Sequence, residues 1–350
     1  MNVLRCLFLT IALLHASCIF AEDRLMRGTE HWLGYASSDS KSFTPCGGKA
    51  DTVQNGDKIE KNVTEKCDST TAYEPPEIRY MALLDTYNAS HQTKSVSVIL
   101  ANAVESLNAD PQRVLLIRGG TAGTDFERFA TVVPFAIDAV VPVSNVPGVP
   151  SLRFTADILA KIFSGKITRW NDPAIEAVNP GAGLPGIQIV PVRLSDQAAT
   201  TTLFVSFLKS AQPFAFATAA TLDSDTDVVA FLRKNPGAIG YVDMMAAVRE
   251  GIDYGAVKNP SGQFVKASGT TLRAASKSTI SGSRILINAP AVDAYPITAY
   301  AFAAVAKDGG WSPADATRWL VGEGRNHVQE IGLTPVPADV LVRVPPTNHR

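Results

Sequence analysis

Apolar positions along this chain fall into short runs separated by turn residues, and the runs differ in period. Residues 132–143 are almost continuously apolar, the pattern of a strand buried on both faces, as in a parallel sheet. Asn145-Val146-Pro147-Gly148 ends that run. Beyond it, Ile158, Leu159, Ile162 and Phe163 recur at helical spacing behind Thr155, which is suited to cap a helix, and Gly165 stops it. Residues 187–192 predict another buried strand. Leu203, Phe204, Phe207 and Leu208 repeat the helical spacing just after a threonine cluster. Asp227 can cap a helix over 228–233, Asn235-Pro236-Gly237 stops it, and 238–242 reads as a strand. The alanine-rich stretch 297–306 predicts a helix, and Ser312-Pro313 opens a final one running to about Gly322. Upstream, one or two helices are expected between Glu77 and Leu107, then a strand over 114–117, then a turn-rich loop, Gly119-Gly120-Thr121-Ala122-Gly123-Thr124. Strands alternating with helices predict an α/β fold.

The N-terminal third is different. Arg5 precedes the apolar run 6–20, the length of a secretory h-region and too short to span a bilayer comfortably. Ala21 before Glu22-Asp23-Arg24 marks a cleavage point, so 1–21 reads as a signal peptide and the mature protein as periplasmic or secreted. Cys18 lacks the Leu-type residue three places earlier that a lipoprotein signal uses. No second apolar run is long enough for a transmembrane helix, so the chain is not expected to span a membrane. Residues 22–75 are polar and loop-rich. Cys46 and Cys67 lie there and are the only cysteines beyond the signal. With no His or third Cys in that stretch to suggest a metal, a disulfide is predicted, contributing about 3 kcal/mol in the chain-entropy picture. Asn62-Val63-Thr64 and Asn88-Ala89-Ser90 are sequons that matter only in a eukaryotic secretory pathway.

Composition narrows the function classes. With 350 residues, 46% hydrophobic and 19% charged, the chain should form a packed core of one large or two medium α/β domains. A formal net charge of -1 offers no global field for nucleic acid or an anionic membrane. There is no His-Glu-x-x-His and no Gly-x-Ser-x-Gly. His15 is in the signal, His349 is in a polar tail, and His31, His91 and His327 stand alone. Asp223, Asp225 and Asp227 alternate like the start of a calcium loop, but the loop glycine is missing and Lys234 stands in the place of the closing Glu. No catalytic residue, metal site or cofactor is therefore expected, and the chain does not read as an enzyme.

One constellation remains. Arg193-Leu194-Ser195-Asp196-Gln197-Ala198-Ala199-Thr200-Thr201-Thr202 follows a strand and opens a helix. A helix N-terminus offers free backbone N–H groups and the positive end of a dipole, which suits an anion, and threonine hydroxyls can add donors. Plain helix capping by the threonines accounts for the same residues equally well.

Five blocks tip the balance. LRFTADILAKIFSGKITRWNDPAIEAVNPGAGLP at 152–185, NPGAIGYVD at 235–243, AVKNPSGQFV at 256–265, YPITAYAF at 295–302 and GLTPVPADV at 332–340 occur in this order. Together they resemble the phosphate-binding proteins of ABC transporters, over roughly 132–342. The resemblance implies a type II periplasmic-binding-protein fold, two α/β lobes around a cleft. One lobe would be 143–257. The other would be 22–142 with 258–344, and 345–350 a polar tail. It implies phosphate or a related small oxyanion as ligand, an ABC permease as partner, and a site drawn from Arg193, Ser195, Asp196, Gln197, Thr200 and Thr201. The family holds its anion with Arg-x-Asp-Gly-Ser-Gly-Thr. Here Asp196 and Thr200 match, whereas Gln197, Ala198 and Ala199 replace Gly, Ser and Gly, and Leu194 stands at the Arg position with Arg193 one place early. A one-residue shift on a strand points a side chain to the other face. Two lost contacts of roughly 1.5–3 kcal/mol each would weaken phosphate binding by about three or four orders of magnitude. The competing expectation is an extracellular interaction or adhesion protein that keeps the scaffold without the ligand.

Overall fold

The computed structural model describes residues 76–91, 97–99, 113–117, 130–196, 198–217, 220–278, 286–306 and 311–341. All belong to the unit Pro76–Arg350. The signal peptide, Cys46, Cys67, Asn62, His31, His349, the 119–124 loop and Gln197 lie outside the described residues.

In chain order, the first part comprises α1 (Pro76–His91), β1 (Ser97–Ile99), β2 (Arg113–Ile117), β3 (Ala130–Ser144), β4 (Arg153–Phe154), α2 (Ala156–Phe163) and α3 (Pro173–Val178). The middle comprises β5 (Val190–Leu194), α4 (Ala199–Lys209), β6 (Ala220–Leu222), α5 (Asp225–Lys234), β7 (Ala238–Asp243) and α6 (Met244–Arg249). Then follow β8 (Ala256–Lys258), β9 (Phe264–Val265), α7 (Gly269–Ser278), β10 (Thr298–Ala306), α8 (Trp311–Val321), α9 (Arg325–Glu330), β11 (Thr334–Pro335) and α10 (Ala338–Leu341). Among the described residues the strands form an eight-stranded mixed sheet, ordered β1-β2-β10-β3-β7-β5-β6 with β11 beside β3, and a small sheet β4-β8-β9.

The 15-residue strand β3 organises the molecule. Its first part pairs with β10 and β11, and 140–144 pairs with β7. Every one of these pairings is antiparallel, which corrects the parallel-sheet expectation for this run. Its residues 134–143 are nevertheless all buried, because α4, α6, α7 and α8 lie against the strand. Pro134 has no N–H to give to a ladder, and the β10 register shifts at that point, Ala301 facing Ala136 and Phe302 facing Pro134. The strand feeds two apolar clusters. Phe135 joins Leu83, Tyr87, Leu116 and Trp319, whereas Val140, Val141 and Val143 join Phe154, Phe163, Phe204 and Tyr241.

Further expectations are corrected. Residues 297–306 form not a helix but strand β10, with all nine residues of 298–306 buried between β2 and β3. The stretch has no polar face, so period alone cannot separate a buried helix from a strand covered on both sides, and the tertiary position overrides alanine's helix preference. Of the one or two helices expected between Glu77 and Leu107, α1 is one, and Ser97–Ile99 pairs in parallel with β2, whereas 92–96 and 100–107 lie outside the described residues. Helix α5 starts a turn earlier than Asp227. Ser224 is its N-cap, its Oγ accepting from Asp227 N at 3.1 Å while donating to Asp227 Oδ2 at 2.6 Å. The helix opened by Ser312-Pro313 is followed by α9 and α10, so it is not the last.

Other local expectations hold. Thr155 caps α2 through Ile158 N at 3.1 Å, and Gly165, at φ 74°, ends it in the left-handed region that glycine tolerates. Gly240 permits the close seating of α5 on β7, since a Cβ there would lie 2.7 Å from Val228 Cγ1 and 3.1 Å from Val192 Cγ2. Trp170, fully buried, donates its Nε1–H to Gly237 O at 3.0 Å and so ties the 152–185 block to the 235–243 block.

Candidate functional site

Strands β5, β6 and β7 run parallel, so their C-terminal ends lie on one edge, where α/β sheets place ligands. Along β5, Val192 and Leu194 are buried, and Arg193 between them points to the other face. Leu194 thus occupies core space at the position where the resembled family carries its arginine. Arg193 does not stand free. Its Nη1 is ion-paired with Asp196 Oδ1, and its guanidinium lies over the Phe216 ring, 4.9 Å from the centroid.

The chain then turns. Ala198 N donates to Ser195 O at 3.1 Å, and Ala198, at φ -68° and ψ 132°, takes the extended N-cap conformation of α4. Among the described residues no side chain caps this helix. Its first-turn N–H groups therefore lack intrahelical acceptors and a side-chain substitute, which is the condition for holding an anion. The threonines are not the cap. Thr202 Oγ1 reaches back to Ala198 O at 3.4 Å, and Thr200 and Thr201 are buried.

Thr201 is turned to the core. Its hydroxyl lies 2.9 Å from the Tyr241 hydroxyl on β7. Strands β5 and β7 pair at Val190/Ala238 and Pro191/Ile239. Burial pushes the Tyr241 phenol up to about 12, against the opposing pull of the Thr201 hydrogen bond and of Arg193, so it is neutral at any ordinary pH. The ring stacks on Phe204 at 4.1 Å and meets Phe163 edge-on at 5.7 Å.

Of the six residues marked by sequence, the fold gathers Arg193, Ser195, Asp196, Thr200 and Thr201 around the β5–α4 turn. Sequence reasoning missed Tyr241 and Phe216. Tyr241 lies inside the 235–243 block, but a tyrosine in a fully buried strand carries no pattern that separates a structural phenol from one tied to a site. Of the three alternating aspartates, Asp223 precedes α5, and Asp225 and Asp227 lie in its first turn. Asp225 Oδ1 accepts from Asp243 N at 3.3 Å, and Asp243 caps α6 through Met245 N at 2.7 Å. Among the described residues no group of three or more His, Cys, Asp or Glu could hold a metal, and no helix is long and apolar enough to cross a membrane. His91 stacks on Tyr87 and His327 stacks on Trp319 while pairing with Glu330, so both belong to the α1–α8–α9 packing.

Residues 101–318 match the family described as the PBP superfamily domain. Phosphate-binding protein PstS of Xylella fastidiosa is 31% identical over 234 residues, 60% of this chain and 64% of that protein. Phosphate-binding protein PstS of Methanocaldococcus jannaschii is 30% identical over 250 residues, 59% of this chain and again 64% of the relative. The chain thus spans less than two thirds of the length of these relatives. Among solved structures, a Clostridium perfringens protein with bound phosphate superposes at a TM-score of 0.55 with 15% identity, covering 75% of this chain and 97% of that one. An ABC-type phosphate transport receptor from Vibrio cholerae gives 0.50 with 16% identity, covering 74% and 96%. These last two likenesses concern the fold, the type II periplasmic-binding α/β architecture. With the family match covering most of its described length, the chain belongs to the PBP superfamily and is similar within it to phosphate-binding proteins.

Proposed function

We propose that this protein is a solute-binding protein that holds phosphate or a related small oxyanion at the N-terminus of α4, in a cleft between two lobes, and presents it to an ABC permease. The observation that carries the reading is the uncapped α4 N-terminus at the end of β5, in a chain whose curated relatives are named phosphate-binding proteins. The lobes would be 143–257 and 22–142 with 258–344. Exchange of solute with a permease places the protein outside the cytoplasm, periplasmic or secreted, and gives it no catalytic task.

Binding is weak in this reading. Leu194 is committed to the core, Arg193 is held by Asp196 and Phe216, and Ala198 brings no hydroxyl. What is left to the anion is the first-turn amides, Gln197 and Thr200. A dissociation constant in the high micromolar range or poorer follows from losing two contacts at about 1.4 kcal/mol per decade. Isothermal titration of the purified mature protein with phosphate, sulfate and citrate tests this. Heat from phosphate at high micromolar concentration supports it. Sub-micromolar affinity that collapses in Arg193→Ala would mean that the cation had been rebuilt rather than withdrawn.

A further inference from the structure

The small sheet β4-β8-β9 has two unlike faces. Phe154, Val257 and Val265 point inward and are buried. Strand alternation and register put Arg153, opposite Ala256, and Lys258, opposite Phe264, on the other face. There Arg153 and Lys258 are exposed and Phe264 is half-buried. Both cations converge on one ring. The Arg153 guanidinium carbon lies 5.5 Å from the Phe264 centroid, and Lys258 Nζ lies 5.8 Å from it. A third cation, Lys266, stands over the Tyr254 ring at 4.8 Å and is ion-paired with Asp253. Among the described residues Arg153 and Lys258 have no such carboxylate. Two like charges gathered at one ring repel each other, and a pair of carboxylates would relieve both.

The face is also held in place. Asn259 closes the β8–β9 turn, its Oδ1 accepting from Gln263 N at 3.1 Å, and its Nδ2 donates to Val292 O at 2.7 Å and to Ala294 O at 3.1 Å. The β4 edge is closed to a further strand at Arg153, because Asn179 Oδ1 accepts from Arg153 N at 2.7 Å and its Nδ2 donates to Arg153 O at 3.0 Å. Recognition on this face therefore falls to side chains. Two cations around a ring are fewer than a membrane surface or a duplex takes, and the formal net charge of -1 adds no global field. They match a short protein segment carrying two carboxylates.

We propose that the outer face of β4-β8-β9 is a docking surface for an acidic loop of a partner protein, whose carboxylates pair with Arg153 and Lys258 on either side of contact with Phe264. The surface does not depend on the phosphate reading, since none of these residues belongs to the β5–α4 turn. A synthetic tetraglutamate peptide is titrated into the purified mature protein and followed by amide chemical shifts. Wild type is compared with Arg153→Ala, Lys258→Ala, the double variant Arg153→Glu with Lys258→Glu, and the charge-keeping double variant Arg153→Lys with Lys258→Arg, each checked by a thermal melt.

The expected result is a saturable shift confined to 153–154, 256–258 and 264–266 that weakens as salt rises. Affinity should fall roughly two- to fivefold in each alanine variant, the loss of one exposed ion pair. Binding should vanish in the glutamate double variant and persist in the charge-keeping one, and a tetraglutamine peptide should not bind. No saturable shift in wild type at millimolar tetraglutamate overturns the proposal, as does binding that survives in the glutamate double variant. Tighter binding at the same residues by a DNA duplex, or by vesicles of equal parts phosphatidylserine and phosphatidylcholine, would give the face another occupant and overturns it too. If the glutamate double variant melts early, the alanine and charge-keeping variants decide, and equal affinity across them overturns the role of the two charges.

Discussion

Ala198 is where stability and binding should part company. It has the extended N-cap conformation, yet offers no acceptor to the first-turn amides of α4. Ala198→Asp and Ala198→Ser each supply one. An N-cap oxygen contributes about 1 kcal/mol, and a carboxylate at the positive helix end adds roughly 0.3–1 kcal/mol. For a protein of this size that corresponds to a rise in Tm of about 2–4 °C per kcal/mol, read by a thermal melt. The two variants should then differ in binding. The aspartate occupies the amides that the anion needs, and two like charges 4 Å apart repel by about 1 kcal/mol in water and about 4 kcal/mol near a protein surface. Phosphate affinity should therefore fall at least tenfold in Ala198→Asp. Serine is neutral and its hydroxyl can donate to the anion once bound, so Ala198→Ser should bind as well as wild type or better. An unchanged or lower Tm in both variants would refute the premise that the α4 amides are unclaimed. Unchanged phosphate affinity in Ala198→Asp, with the higher Tm, would refute their use by the ligand.

Other consequences are simpler to check. Gly240→Ala should destabilise the fold by about 1–3 kcal/mol in a denaturant titration, because the added Cβ would lie 2.7 Å from Val228 Cγ1 within a packed α5–β7 contact. The Tyr241 phenol is raised from 10.0 to about 12, so the stability linked to its neutral form is fully present below pH 10 and is lost as pH rises toward 12; Tyr241→Phe should flatten that part of an alkaline unfolding profile. Cys46 and Cys67 should be bridged, and two free thiols in an Ellman titration of the denatured, unreduced protein would contradict this.

Much of the α/β order was legible because its signals were local. Thr155 and Gly165 delimit α2, and the pairs Leu203/Phe204 and Phe207/Leu208 mark the buried stripe of α4. What misled was nonlocal. The run 298–306 is buried on both faces only because β2 and β3 flank it, and its alanines say helix when that setting is unknown. The antiparallel partners of β3 could not be read from a run that a parallel sheet would explain as well. At the site, the one-residue displacement of Arg193 predicted that it would face away from Leu194, and it does. Its capture by Asp196 and Phe216 depends on a loop folded back from 216, and the Thr201–Tyr241 bond spans 40 positions, so neither had a sequence pattern to announce it.

The central claim is that the first turn of α4 holds a small oxyanion, and a residue-resolved phosphate titration tests it most directly. With backbone amides assigned in the mature protein, phosphate added to the millimolar range should shift the amides of Ala199, Thr200 and Thr201 in a single saturable process at high micromolar concentration or above, leaving α1, α8 and α9 unmoved. Saturable shifts confined to a different part of the chain, or none at all at millimolar phosphate, would contradict the account.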